Sequence, residues 1–540
     1  MTLDVYPLIS FAWLAPEMIL VAVGCALLLI GHGRHGEHRG LLTGLTLFAV
    51  VVAILIDLSL RFGSGGQAGS GLDYGFFAQF VRISTLIVGV LIILVSWSQP
   101  AAEETAEFFS MALFSLAGLM LLGAATDMVM LFLALELVSI PTYVMVTLSR
   151  FSPKALEAGT KYFYLGALAA AITAYGLSFL YGVSGSASLA ETVGPVYQAL
   201  ARPGTIEYGV AIAGIVLTIA GLLFKVAAFP LHFYVADVYQ GAASPVAGLL
   251  GFVPKLAGFA ALVKILHVAG WASDGAGLFW LLWIVAALSM TVGNVLALRQ
   301  TNIKRMLAYS GIAHSGYMIV GLMAGPSTAE GYLGDGVAAV LYYVVVYGIA
   351  NLAAFAVLGV LRVRGAGCES LRDIAGLLRR QPGLALLMAL AMFTLLGMPP
   401  TPGFWGKLSL FGSALAAGQS AGGDTQTWLT TLVIIGVINS AIGAAYYLRV
   451  IAAVLLYESD DPIEATTREA PRMGAALCGF LLLIFTVYPN SLLGAGRSAT
   501  IELRGLARAG PAGPAPLVMG PPIAPRPAVG EALPASDDSN

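Results

Sequence analysis

GVAIAGIVLTIAGLLFKVAAFPLHFYVAD, residues 209–237, is an apolar run of membrane-crossing length that carries Lys225, with Pro230 five residues later and His232 beyond it. About 20 apolar residues of helix span a hydrocarbon core roughly 30 Å thick. Proline has no N–H to give, so it interrupts the helix that contains it. An ionisable side chain near a proline recurs in three other apolar stretches: Glu136 before Pro141, Lys255 after Pro254, and Lys407 after Pro399, Pro400 and Pro402. A charge at the bilayer centre costs about 2.5–3.5 kcal/mol, so four facing lipid would cost roughly 10 kcal/mol. They are therefore expected to face the protein interior or a hydrated cavity. A chain of intramembrane titratable groups implies proton movement.

The whole chain fits this setting. Its 540 residues are 58% hydrophobic and 10% charged, with a mean hydropathy of +0.87. Soluble domains carry about 25% charged residues. The apolar stretches lack the alternation of barrel strands, so the expected class is an all-α polytopic membrane protein. A net charge of −2 gives no reason to expect nucleic-acid binding. Cys25, Cys368 and Cys478 lie far apart, without a disulfide framework, a CxxC pair or an iron–sulfur spacing. The first apolar segment follows an acidic, Pro-containing start without basic residues, which argues against a cleaved signal peptide.

Hydropathy predicts about fourteen helices, at roughly 13–31, 40–61, 76–97, 107–123, 127–149, 154–183, 205–240, 244–269, 278–298, 303–325, 334–362, 382–418, 428–457 and 472–493. The seventh and twelfth are longer than one crossing needs and contain proline. Broken helices are tolerated in a membrane where the freed backbone faces protein or water. Two of them, five segments apart, suggest two inverted five-helix repeats, helices 4–8 (107–270) and 9–13 (278–457). Helices 1–4 would occupy 1–123, helix 14 would occupy 472–493, and the Pro/Ala-rich 509–540 would be an extended tail. Loops on one side hold fourteen basic residues, from Arg34 and Arg39 to Arg468 and Arg472, against Arg61 and Arg202 on the other. The positive-inside rule then puts both termini outside the cytoplasm.

GLLFKVAAFPLHFYVADVYQGAASPVAGLLGFVPKLAGFA, QTNIKRMLAYSGIAHSGYMIVGL and LLGMPPTPGFWGKLSLF resemble the antiporter-like subunits of NADH–quinone oxidoreductase, respiratory complex I, over about residues 10–490. Among these subunits the N type is the most similar. Pro254-Lys255 and GMPPTPGFWGK, with lysine where the M type has glutamate, favour N. So does the expected lack of a long amphipathic lateral helix after helix 14, which the L type has. The resemblance implies a bacterial inner-membrane subunit without a redox centre, moving a proton when quinone reduction elsewhere drives it. NADH, FMN, iron–sulfur clusters and quinone would belong to partner subunits, and K-type and M-type subunits would be its neighbours. It also implies a relay in which Glu136 pairs with Lys225 and Lys255 passes the proton to a terminal Lys407. An antiporter-like subunit of a membrane hydrogenase or of a multisubunit Na⁺/H⁺ antiporter is the alternative, and a scaffold with static buried charges is a third.

A lysine in water holds its proton until about pH 10.4. Burial favours the neutral amine and a nearby carboxylate favours the charged one, so a pair that opens and closes is a switch. A permanent Glu136–Lys225 bridge tying helices 5 and 7 is the competing account. Lys255 lies near mid-depth, which disfavours snorkelling, whereas Lys407 has a wider range of depths. Lys161 is either a relay member or an interfacial anchor. His232 and His314 are either water-bridging titratable groups or structural hydrogen-bonders. Asp237 either funnels protons or caps and pairs a loop. Lys264 and His267 read as interfacial, and Arg449 as within reach of the cytoplasmic surface. The His32, His35, His38 loop reads as a solvated polar loop, with metal binding the minority reading.

Overall fold

The computed structural model describes residues 6–31, 39–61, 71–272, 276–327, 333–363, 366–458, 463–466 and 468–508. The loop holding His32, His35 and His38 and the tail 509–540 lie outside these. The described chain is helical almost throughout. Each expected segment coincides with one helix or with two half-helices, and among the described residues twelve helices are long and apolar enough to cross a membrane.

The first six are α1 (Tyr6–Gly31), α2 (Arg39–Arg61), α3 (Phe76–Ser96), α4 (Thr105–Ala124), α5 (Met128–Leu148) and α6 (Pro153–Ser184). Side-chain caps set several starts. Asp127 accepts from the Met130 N–H at 2.7 Å to open α5, and Ser152 caps α6 ahead of Pro153. A short helix absent from the sequence reading, α7 (Leu189–Leu200), precedes the seventh segment.

The seventh segment is broken into α8 (Ile206–Lys225) and α9 (Val235–Gly241). Ala227 at the break sits at φ 59°, a left-handed conformation costly for a residue with a Cβ. Side chains meet the freed backbone: Tyr234 OH donates to the Phe224 carbonyl at 2.9 Å, and the Phe229 N–H donates to Ser289 Oγ at 2.9 Å. The eighth segment is also broken, into α10 (Ser244–Leu250) and α11 (Val253–Val268). This break is not legible in the sequence, because Pro254 sits in the first turn of α11, where proline fits a helix. Gly251 occupies the gap, and Asn351 lies so close to it that no Cβ would fit.

Next come α12 (Ala276–Leu298), α13 (Ile303–Ala324) and α14 (Gly336–Val360), followed by the four-residue α15 (Leu377–Arg380). The twelfth segment splits into α16 (Pro382–Leu396) and α17 (Pro402–Ala421) around Gly397, whose φ of 81° needs glycine. Thr401 Oγ1 donates to the Met398 carbonyl at 2.7 Å, and Tyr342 OH to the Pro402 carbonyl at 3.1 Å. Then follow α18 (Gly423–Leu455), α19 (Glu469–Val487) and α20 (Pro489–Arg508). α20, a further helix absent from the sequence reading, packs on α3 and α14 of its own chain.

A small antiparallel sheet, in the order β2 (Ala366–Gly367), β1 (Leu361–Val363), β3 (Ile463–Ala465), joins the loops after α14 and α18. α10–α11 and α14 form the centre. The apolar window of Ser244–Val268 is wholly enclosed, and that of α14 nearly so. Polar side chains within these windows face protein.

Candidate functional site

The three lysines expected on the relay, Lys225, Lys255 and Lys407, lie on or beside helix breaks, whereas Glu136 lies within the unbroken α5, and the placing of the lysines has an electrostatic cause. The last carbonyls of a half-helix lack intrahelical donors and carry the negative end of its dipole, so they attract ammonium groups. Lys225 is the last residue of α8. Its Nζ donates to Glu136 Oε1 at 3.0 Å and to Ser139 Oγ at 2.5 Å, and its side chain is 6% exposed. One residue on, the freed Val226 carbonyl accepts from Lys255 Nζ at 3.1 Å and from Ser315 Oγ at 2.5 Å. Lys255 also donates to the Gly311 carbonyl at 2.8 Å and to Ser315 Oγ at 2.5 Å. Lys407 donates to the Leu396 carbonyl, the end of α16, at 2.8 Å.

Between Lys255 and Lys407 stands His314, fully buried on α13. Its Nδ1 lies 2.8 Å from Tyr343 OH and its Nε2 2.8 Å from Tyr447 OH. Tyr347 stacks at a tilt beside the imidazole, and its ring centroid is 5.3 Å from Lys255 Nζ. The Tyr317 ring lies edge-on to His314 and 4.9 Å from Lys407 Nζ. Glu136, Lys225, Lys255, His314 and Lys407 thus lie in one file across α5, α8, α11, α13 and α17, with hydrogen bonds at the Glu136–Lys225 end and the Tyr347 and Tyr317 rings between Lys255, His314 and Lys407. Lys255 cannot reach a membrane interface from inside the enclosed α11, so snorkelling does not account for it.

Sequence reasoning missed the uncharged members. Ser139 follows Glu136 by three and therefore shares its helix face, a readable signal, whereas Ser315, the residue after His314, points to another side of α13 and offered none. Tyr317, Tyr343, Tyr347 and Tyr447 carried none, since tyrosine in an apolar helix usually reads as an interface anchor.

The remaining candidates lie elsewhere. Lys161 pairs with Asp237 at 2.9 Å and with Glu157 at 2.7 Å, and Arg305 pairs with Asp237 at 2.7 Å. Among the described residues no hydrogen bond or ion pair joins this group to Glu136 or Lys225. Asp237→Asn is expected to change the unfolding temperature little, because half-exposed ion pairs contribute about 0–1 kcal/mol each. Proton uptake close to that of the unaltered complex would accompany it, and a loss of uptake would place Asp237 in the path. His232 stacks on Phe229 at 5.4 Å, and its buried Nδ1 has no protein partner. Lys264 is buried and donates to the Gly123 carbonyl at 2.8 Å and the Ala125 carbonyl at 2.5 Å, holding the end of α4. Arg449 donates to the Leu298 and Gln300 carbonyls at 3.3 and 2.8 Å.

A second buried charge cluster was not anticipated at all. Arg82 of α3 donates from Nη2 to Glu17 Oε1 at 2.6 Å, from Nη1 to Asp57 Oδ1 at 3.1 Å and from Nη2 to the Trp13 carbonyl at 2.9 Å. All three charged side chains are at most 2% exposed. This cluster clips α1, α2 and α3 together.

Comparison with known proteins agrees with the geometry. Residues 125–440 match the family described as NADH:quinone oxidoreductase/Mrp antiporter, TM. The chain is 39% identical over 475 residues to the NADH-quinone oxidoreductase subunit N of Trichlorobacter lovleyi, covering 87% of this chain and 92% of that one. It is 34% identical over 496 residues to the subunit of the same name from Rhodospirillum rubrum, covering 90% and 96%. Among solved structures, a chain of respiratory complex I from Thermus thermophilus with bound aureothin superposes with a TM-score of 0.72 at 31% identity, covering 89% of this chain and 99% of that one. A chain of the Mrp complex from a Dietzia species shares the fold, with a TM-score of 0.71 at 19% identity over 93% and 98% of the two chains. The chain belongs to the subunit N family of NADH-quinone oxidoreductase, as a multi-pass, antiporter-like membrane subunit of respiratory complex I.

Proposed function

We propose that this subunit carries a proton across the membrane along the file from Glu136 and Lys225 through Lys255 and His314 to Lys407, driven by electron transfer from NADH to quinone elsewhere in the complex. The supporting observation is the placing of the buried charges: every ammonium in the file is held by a neighbour's carboxylate, hydroxyl or freed carbonyl, and the His314 imidazole stands between Lys255 and Lys407. Two inverted repeats, 107–270 and 278–457, would supply the half-channels on either side. In this reading both termini face away from the cytoplasm of a bacterial inner membrane, and K-type and M-type subunits flank the chain. NADH, FMN, iron–sulfur clusters and quinone are bound by partner subunits. The Lys161–Asp237–Arg305 group then ties α6, α9 and α13 together outside the file.

Lys255→Met tests the proposal, because methionine keeps the length and removes the charge. In the purified complex, reconstituted in vesicles, the protons taken up per NADH oxidised are expected to fall. An unchanged ratio, with assembly and redox turnover intact, would reject the relay. The likeness of fold to an Mrp chain keeps a Na⁺/H⁺ antiporter assembly as the second reading. Co-purification with flavin and iron–sulfur subunits separates the two.

A further inference from the structure

The centre of the subunit holds polar atoms that the file does not use. Asn351 on α14 is 1% exposed, and neither its amide oxygen nor its amide nitrogen has a protein partner. One turn earlier, the buried hydroxyl of Tyr347 is likewise unpaired. Both face the broken eighth segment. The Asn351 amide lies against the backbone of Gly251, in the gap between α10 and α11. The Tyr347 hydroxyl lies beside Gly311, whose carbonyl accepts from Lys255. From Lys255 the direction of travel is therefore Tyr347, then Asn351, towards the end of α14 that carries Arg362 and the small sheet.

A buried polar group left without a hydrogen bond costs about 1–3 kcal/mol, and leucine in place of Asn351 would carry none of that cost. Buried polar atoms that lack protein partners are met by ordered water, which makes about three hydrogen bonds at such sites. We propose that Asn351 and Tyr347 hold ordered water against the Gly251 gap, and that this water is a side branch through which Lys255 exchanges its proton. The inference rests on the relay reading of Lys255. Past Asn351 the branch is closed by apolar side chains: Leu352 and Phe355 pack on Gly248, and Tyr239 lies 5.8 Å from Phe355. On the far side of this plug are charged groups. Lys304 donates to the Ala242 carbonyl at 3.0 Å, and Arg150 donates to the Gln240 carbonyl and pairs with Glu369. An apolar constriction between two polar compartments opens and closes by wetting.

The test uses the intact complex. A high-resolution map of the unaltered protein is expected to show water within hydrogen-bonding distance of the Asn351 amide. Radiolytic hydroxyl labelling, which marks side chains in contact with bound water, is expected at Tyr347. Asn351→Leu should abolish both signals and lower proton uptake per NADH several-fold. Tyr347→Phe, which removes one oxygen only, should act in the same direction and covers the case in which the leucine variant fails to assemble. Absence of water at Asn351 in the unaltered protein, or full proton uptake in both variants, overturns the branch. If Lys255→Met also pumps normally, the relay reading has failed first. If Lys255→Met stops pumping while Asn351→Leu and Tyr347→Phe do not, only the branch is wrong.

Discussion

Lys225→Ala in the intact complex is expected to lower the protons taken up per NADH oxidised and to slow turnover, with the subunit still assembled. The size of the effect follows from what the Lys225–Glu136 contact must do. Carrying one charge through a membrane potential of roughly 150–200 mV takes about 3.5–4.6 kcal/mol. Breaking a buried ion pair by losing one partner costs about 3–5 kcal/mol. The two match, so opening and closing this one pair is enough to move the proton affinity of the site across the range that a cycle needs. At 3.0 Å, with Ser139 beside it, the pair is closed in the structure. A single variant leaves Glu136 without its partner, so stability and conduction change together. The double variant Glu136→Gln with Lys225→Met separates them, since replacing both charges restores much of the stability. A static brace would then be fully replaced and pumping would return. A relay member would not be, and proton uptake would stay low at recovered stability. Normal pumping by the double variant would leave the scaffold account standing.

The difference between what the sequence disclosed and what it hid lies in the kind of signal each residue leaves. Lys225, Lys255 and Lys407 were legible because a charge in an apolar run is costly and therefore rare. The breaks in the seventh and twelfth segments were legible because Pro230, Pro399 and Pro400 fall inside the runs. The break in the eighth was not, since Pro254 is compatible with a helix start and Gly251 alone is ambiguous in an apolar helix. The assembly of the file was also hidden. Asp237 sits twelve residues from Lys225 in the same segment, yet it pairs with Lys161 and Arg305 and not with the file. His314 reaches Tyr447 across 133 positions of sequence, a meeting that only helix packing produces. α20 escaped notice because its polar composition lacks a membrane-length run, although packing on α3 and α14 holds it as a helix.

Arg82→Met is expected to be among the most destabilising single changes in this chain, although Arg82 lies outside the file. Glu17, Asp57 and Arg82 were each close to the end of an apolar segment, where charges commonly reach water, so the sequence did not mark them. In the fold they converge from α1, α2 and α3 with side chains at most 2% exposed. Arg82 also lies 4.3 Å from the centre of the Tyr74 ring. Removing the guanidinium leaves two carboxylates buried without a counter-charge, and the Trp13 carbonyl without the Arg82 donor. Stranding a buried charge in this way costs about 3–5 kcal/mol, which at about 1.4 kcal/mol per decade is roughly two to three and a half orders of magnitude in the equilibrium holding α1–α3 in place. The expected readout is a lower unfolding temperature of the complex and proteolysis concentrated in residues 6–96. Adding Glu17→Gln and Asp57→Asn removes the stranded charges, so stability should return while protons per NADH stay at the unaltered value. Arg82→Met with an unchanged unfolding temperature would show that the cluster does not clip the three helices. A triple variant that is stable but pumps fewer protons would show that the cluster acts on conduction as well as on folding.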